Sequence, residues 1–212
     1  RSDEAISTAV TALKLYGIKF PKKATMLDAI PLLLKVKMKF LFKTNDEILE
    51  ADILTDKRAL AALKILSNVS PSCFIQSPES MLTNCLNCLL ITLKYGNTGV
   101  SSYAISLMGF VEAVALSNYE RARELMVLAT KLNQKLDAKD YEAKVIFAWN
   151  NFVQFYHSPI KESIPWLNKG HEAGLNSGDY NFANYCLYSI MCREIYLGNN
   201  INKTYNKALE YS

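Results

Sequence analysis

Charge, glycine and proline are all scarce in this chain. Charged side chains make up 21% of its 212 residues, beside 8 glycines and 6 prolines. So few breakers argue against a turn-rich β protein, and a composition that is 50% hydrophobic argues against disorder. Histidine is scarcer still: only His157 and His171 occur, without Glu-x-x-His or His-Glu-x-x-His spacing. A metal site is therefore not expected. Long apolar runs are missing too. Glu79, Lys94 and Glu112 interrupt the apolar centre, so no stretch reaches the ~18 residues of a membrane helix, and no signal peptide opens the chain. The net charge is only +4, and its surplus lies in residues 1–64, with 12 Lys/Arg against 8 Asp/Glu. That is too little to suggest a nucleic-acid partner.

The five cysteines, Cys73, Cys85, Cys88, Cys186 and Cys192, form no even-numbered framework. Cys85-x-x-Cys88 has metal or redox spacing, yet it has no second pair and lies in an apolar helical run, where both act as small hydrophobes. A reducing, cytoplasmic compartment is expected. Asn68-Val-Ser70 and Asn202-Lys-Thr204 match the glycosylation pattern, but without a secretion signal they are chance matches.

What the chain has is helical periodicity, clearest between Ser101 and Leu136. Tyr103 to Leu116 is almost wholly apolar, with the single charge Glu112. A break at Ser117-Asn118 separates it from Tyr119 to Leu136, where Ala122, Leu125, Met126, Ala129 and Leu132 share one face. A covered helix paired with a half-exposed one is the unit of an α-solenoid.

Further helices are expected from Asp3 to Tyr16, stopped by Gly17, and from Thr25 to Lys43, where the strict alternation from Lys35 to Lys39 alone would suit a strand but the helical face continued from Leu27 favours helix. In the second, Leu27, Leu32, Leu33, Val36 and Phe40 point inward, and Lys35, Lys39 and Lys43 form an exposed stripe. The stripe reads as a solvated face, with an acidic partner as the minority alternative. Asn45 to Thr55 is a loop with one possible helical turn. Asp56 to Val69 follows, stopped before Pro71. Ser77-Pro78 opens a helix that runs to Tyr95 and ends at Gly96-Asn97. Tyr95-Gly-Asn-Thr-Gly99 is a helix–helix turn rather than a phosphate loop, because it lacks Gly-Lys-Ser/Thr and a preceding strand. Lys139 to Tyr156 is followed by a helix ending near Asn176, which opens either at Ser158-Pro159 or, to keep Pro165 out of its second turn, near Ser163; Asp179 to Gly198 and a helix from Asn202 complete the series. The chain opens without Met and closes on Lys207-Ala208-Leu209-Glu210, as expected of a piece of a longer multidomain protein.

Small residues recur seven apart: Ala5 and Ala12, Ala122 and Ala129, Ser163 and Gly170. Two helical turns put each pair on one face, where a neighbouring helix can approach closely. Ala122 and Ser163 lie 41 residues apart, and Ala143, Val145, Phe152 and Tyr156 align with Ala183, Tyr185, Cys192 and Tyr196 forty residues on. Tyr119-Glu-Arg-Ala122, Met126 and Ala129 resemble the second half of a tetratricopeptide unit, though the first halves lack its Trp…Leu-Gly…Tyr series.

A further resemblance rests on Asp3-Glu-Ala5…Ala12-Leu…Gly17-Ile, Leu93-Lys-Tyr-Gly-Asn97, Ser102-Tyr-Ala104 with Met108-Gly109, and Gly174-Leu-Asn-Ser-Gly-Asp179. These segments resemble the helical-repeat regions of large bacterial signalling proteins. Such proteins join a serine/threonine kinase domain, an ATP-binding module and a sensor histidine kinase. Their kinase and ATPase motifs lie outside this segment, so no catalytic residue carries over.

The polar cluster of most interest is Trp149, Asn150, Asn151, Gln154, Tyr185, Tyr188 and Arg193, on the first helices of adjacent units. Trp149 is expected in the core. Amides are costly to bury unpaired, so Asn150, Asn151 and Gln154, with Tyr188 and Arg193, are the candidate binding residues of a concave face. Interhelix hydrogen bonding is the structural alternative. No serine has a nucleophile elbow, and no catalytic, cofactor or metal residue is proposed.

The expectation is thus an all-α fold, a right-handed α-solenoid of about ten helices in antiparallel, tetratricopeptide-like pairs, forming a single domain over 1–212. The expected function is non-catalytic. It would be a protein-interaction or regulatory module that binds a protein, a peptide or other domains of its own chain, with no nucleic-acid or membrane partner. A small-ligand sensor controlling an attached ATPase or kinase is the alternative.

Overall fold

The computed structural model describes residues 2–209, so Glu210 lies outside the described residues. Among them there is no β-strand. Eleven α-helices and two 3-10 turns make up the regular structure, and Ile53 and Asn97 form an isolated parallel bridge. The helices are α1 (Ser2–Leu15), α2 (Met26–Leu41), α3 (Asn45–Leu49), α4 (Lys57–Gln76), α5 (Pro78–Tyr95), α6 (Gly99–Val114), α7 (Tyr119–Lys135), α8 (Lys139–Phe152), α9 (Ser163–Ser177), α10 (Tyr180–Tyr196) and α11 (Ile201–Leu209). None is long and apolar enough to cross a membrane.

Local side-chain chemistry starts many of these helices. Ser77 Oγ accepts from Ser80 N at the head of α5, Asn118 Oδ1 from Arg121 N at α7, and Asp179 Oδ1 from Phe182 N at α10. Each supplies an acceptor to an N–H that has no partner within the helix. Thr44 and Glu47 form a reciprocal cap on α3, with the Thr44 N–H donating to Glu47 Oε2 at 2.6 Å. The chain reverses before α7 through Ser117, whose φ is 52°.

The chain divides into two compact units, Arg1–Met108 and Gly109–Ser212. In unit 1, α1 packs on α4, and α2 and α4 pack on α5. Leu63, Leu66, Leu86, Leu89, Ile105 and Met108 are fully buried. The turn from α5 into α6 is tied to the loop after α3. Asn97 N donates to Asp52 O at 2.8 Å, Leu54 N to Asn97 O at 2.9 Å, and Asn97 Nδ2 to Ile48 O at 2.6 Å. Gly96, at φ 110°, makes this approach possible, since a Cβ there would collide with Asp52 O.

In unit 2, α8 packs on α7 and α9, and α10 packs on α9. One core cluster joins Ala113, Ala122, Met126, Ala148 and Val153, and another joins Leu167, Cys186 and Ile190. The small residues of α9 set its distance from its neighbours. A Cβ on Gly170 would lie 2.8 Å from Cys186 Sγ and 2.9 Å from Ile146 Cγ2, and one on Gly174 would lie 2.8 Å from Ala183 N.

Four expectations change. Helix α4 does not stop before Pro71 but runs through it to Gln76. Proline removes the hydrogen bond to Ser67 O, a cost of about 3 kcal/mol, and the burial of Cys73 beyond it favours continuation. Helix α8 ends at Phe152 rather than Tyr156, and a 3-10 turn, Gln154–Tyr156, follows a residue at φ −128°. Of the small pairs, Ala122/Ala129 and Ser163/Gly170 are buried, whereas Ala5 is exposed. The buried face of α1 is instead Ile6, Ala9 and Leu13. Finally, Lys35 is exposed but Lys39 and Lys43 are only half-exposed, while Leu27, expected to point inward, is exposed and the outermost residues of α2 are apolar.

Gly96→Ala and Gly174→Ala should each lower stability by about 1–3 kcal/mol, because the obstacle is backbone that must shift. Ala5→Leu should stay within about 0.5 kcal/mol of the parent. Thermal or denaturant unfolding of the three variants checks both statements.

Candidate functional site

Three helical faces of unit 2 converge on one pocket. Val127, Thr130, Lys131 and Gln134 of α7, Glu142, Val145, Ile146, Trp149 and Asn150 of α8, and Glu162, Trp166 and Lys169 around α9 follow three- and four-residue spacing. Gln154 and Ser158 close one end, and the cavity holds about 400 Å³. That lies within the usual range for small-molecule sites. The chain has only two tryptophans, and both line this pocket. Trp149 leans on the Met126–Val153 core, while Trp166 is 53% exposed. Lys169 Nζ meets Glu142 Oε1 at 2.7 Å, joining α9 to α8.

The amides lie deeper than expected. Asn150 is 1% exposed and Gln154 4%. Asn150 Nδ2 donates to Ile146 O at 2.8 Å, and Gln154 Nε2 donates to Ser158 Oγ at 2.5 Å and Pro159 O at 3.0 Å. Asn150 Oδ1 and Gln154 Oε1 are buried and accept nothing. Flipping either amide would turn its oxygen toward a carbonyl, two acceptors face to face, so the hydrogen-bond pattern itself sets the orientation.

The expected concave face is therefore corrected. Asn150, Gln154 and Arg193 are buried, Asn151 is half-buried, and only Tyr188 is well exposed, at 71%. A hydrogen bond with Cys192 raises the Tyr188 phenol above its usual pKa, and Tyr188 does not line the pocket. Arg193 sits among α8, α9 and α10. Its Nε donates to Ser163 Oγ at 2.6 Å, Nη1 to Asn151 Oδ1 at 3.2 Å and Ser189 O at 3.1 Å, and Nη2 to Asn150 O at 2.7 Å. Burial lowers its pKa from the ordinary guanidinium value. Arg193 thus holds the backbone of Asn150, whose side chain lines the pocket.

Sequence reasoning missed Trp166, Lys131, Glu142, Glu162 and Lys169. The signal available was Trp166 itself, one of only two tryptophans in the chain, three residues before Lys169 on the same helix. It also missed the outer face of α2, where Leu27 (84% exposed), Leu34, Met38 and Leu41 (82%) stand out with Phe42 beyond them. With Pro31 they follow alternating four- and three-residue steps, a pattern legible in the sequence.

Unit 1 holds a wider cleft of about 830 Å³ between the start of α1, the start of α2 and the α4–α5 junction. Its polar groups already serve one another: Gln76 Nε2 donates to Asp3 Oδ1 and Ser80 Oγ to Gln76 Oε1. Cys73, Cys85, Cys88 and Cys186 are buried free thiols, and Cys192 is exposed. Burial pushes Cys73 and Cys186 up to about 12. Among the described residues no cluster of three or more His, Cys, Asp or Glu could hold a metal.

No protein-family model, no curated protein and no solved structure matches this chain.

Arg193→Lys should destabilise unit 2 by about 3 kcal/mol or more. A lysine cannot reproduce the planar fork, so it leaves buried acceptors unpaired. Denaturant unfolding followed by tryptophan emission, which comes only from unit 2, measures the loss.

Proposed function

We propose that this chain is a non-catalytic binding module whose second unit holds a small ligand in the tryptophan-lined pocket. The observation that carries the reading is the cavity of about 400 Å³ itself, which both tryptophans of the chain line together with a few polar side chains. Largely apolar clefts of that size with a few polar groups are where small molecules bind. The wider proposal is a right-handed stack of antiparallel helix pairs of the tetratricopeptide kind, acting in the cytoplasm as the sensor region of a signalling protein and controlling an attached ATPase or kinase. It is supported by the segment resemblances, by the packing of successive helices in unit 2, and by four buried free thiols.

The test is a thermal-shift screen of small molecules against the parent and Trp166→Ala. A ligand that binds only the native state raises the melting temperature through mass action. At least one compound should raise the parent's melting point and leave the variant's unchanged. If no compound acts, or if those that act do so equally on both proteins, the pocket is not the site.

A second reading, docking of a protein helix, is favoured by α2. Its exposed row of Leu27, Pro31, Leu34, Met38 and Leu41 has the seam spacing of helix–helix interfaces. Lysines flank the row, and residues 1–64 carry the chain's whole positive surplus. The fitting occupant is an amphipathic helix with acidic flanks. An amphipathic peptide with glutamates beside a leucine seam should bind the parent, and Leu34→Glu with Met38→Glu should weaken it about tenfold or more at unchanged melting. Equal binding by the double variant, or retention on anionic vesicles in place of the peptide, would contradict this reading.

A further inference from the structure

Resting on the helix-docking reading of α2, we propose that this helix takes its partner helix antiparallel, with the partner's acidic residues confined to its N-terminal half, beside Lys35 and Lys37.

The exposed row is set by what lies behind it. Ala29 and Val36, seven residues apart, are both 0% exposed, and α2 packs on α5. A helix that buries these two presents Leu27, Pro31, Leu34, Met38 and Leu41 on its opposite side. Their four- and three-residue steps run nearly the whole length of α2, about 24 Å for 16 residues. Such a row fits the side chains of one facing helix, knob into hole. A lipid surface has no spacing to match, and Asp28, exposed beside Leu27, would oppose an anionic one.

Charge along the row is uneven. Lys35 and Lys37 stand on either side of it and Lys39 follows, all in the second half of α2, while its one acid, Asp28, lies in the first turn. Thr25 holds Asp28 there, its N and Oγ1 donating to Oδ2 at 2.9 and 2.7 Å. Lys22 and Lys23 belong to the loop before α2, where Lys23 lines the cleft of unit 1. A partner with carboxylates along its whole length would set some of them against Asp28. One with carboxylates only beside Lys35 and Lys37 gains the attraction without that repulsion.

Direction follows from the partner's own helix. Carboxylates stabilise the first turns of a helix and weaken the last, because the macrodipole is positive at the N-terminus. In the antiparallel arrangement the partner's first turns lie beside the second half of α2, so its acids serve both helix and interface. A parallel partner would have to carry them in its last turns. A second copy of α2 brings the same lysines, so self-pairing offers no charge match.

The experiment titrates the full chain with two peptides of equal composition, each with a leucine seam. One has glutamates beside the seam in its N-terminal half and glutamines in its C-terminal half; the other has the reverse. The first should bind about tenfold tighter or more, and Lys35→Glu with Lys37→Glu should abolish that preference. On the parent, a nitroxide at the first residue of the bound peptide should broaden the ¹H–¹⁵N signals of Leu41 and Phe42 and spare those of Met26 and Leu27.

Equal binding of the two peptides, or a preference that survives the double variant, would overturn the charge layout and leave helix docking standing. Broadening at Met26 and Leu27 in place of Leu41 and Phe42 would overturn the direction in the same way. If neither peptide binds, the inference falls together with the helix-docking reading. Retention on anionic vesicles, or a dimer that Leu34→Glu with Met38→Glu dissolves, would then name the occupant that replaces the peptide.

Discussion

The Arg193 guanidinium gathers four oxygens from three consecutive helices into one buried knot. Ser163 Oγ comes from the first residue of α9, Asn150 O and Asn151 Oδ1 from the last turn of α8, and Ser189 O from α10 itself. All four acceptors are neutral, so the charge is met by oriented dipoles, among them the negative end of α8. Such an arrangement tolerates little displacement: moving any one helix would leave a buried donor or acceptor unpaired, at about 1–3 kcal/mol each. Ser163 also donates to Ile160 O at 2.6 Å, extending the same network into the turn that precedes α9. The register of α8, α9 and α10 therefore depends on one side chain, and so does the position of the Asn150 amide.

The pocket follows from where α8 gives way. The chain leaves the helix at Val153 and tightens into a 3-10 turn. That change carries Gln154 inward, where its nitrogen caps the Ser158–Pro159 segment and its oxygen is left without a partner. Had α8 continued to Tyr156, Ser158 would stand at a helix end rather than beside Gln154. Asn150 Oδ1 and Gln154 Oε1 depart from the rule that buried polar groups are satisfied, as do Thr83 Oγ1 and both side-chain polar atoms of Asn84 in α5.

What was legible in the sequence was mostly local chemistry. Ser77-Pro78 at the head of α5, Asn118 before α7, Asp179 before α10 and Gly17 after α1 act within a few residues of themselves, and the structure has each in the expected role. Pro71 was misleading because its cost is local while the packing that offsets it is tertiary. The lysines of α2 drew attention away from the apolar row beside them, since a stripe of charge usually marks the solvent side. Asn150 and Gln154 were singled out by their chemistry, yet their exposure depends on which helix covers them, and a single sequence does not carry that. Arg193 was misplaced for the same reason: arginine is seldom buried, and its four acceptors lie up to 43 residues away.

The central claim is that Asn150, Gln154 and both tryptophans act together as one ligand site. ¹H–¹⁵N NMR of the full chain tests it most directly, because two indole N–H signals report Trp149 and Trp166 and the side-chain NH₂ signals report Asn150 and Gln154. On addition of a compound selected by the thermal-shift screen, the account predicts that these four sets of signals move together along one saturation curve, while those of Asn84 and Asn87 in α5 stay in place. Indole signals that remain fixed, or that move while the Asn150 and Gln154 amides do not, would contradict it.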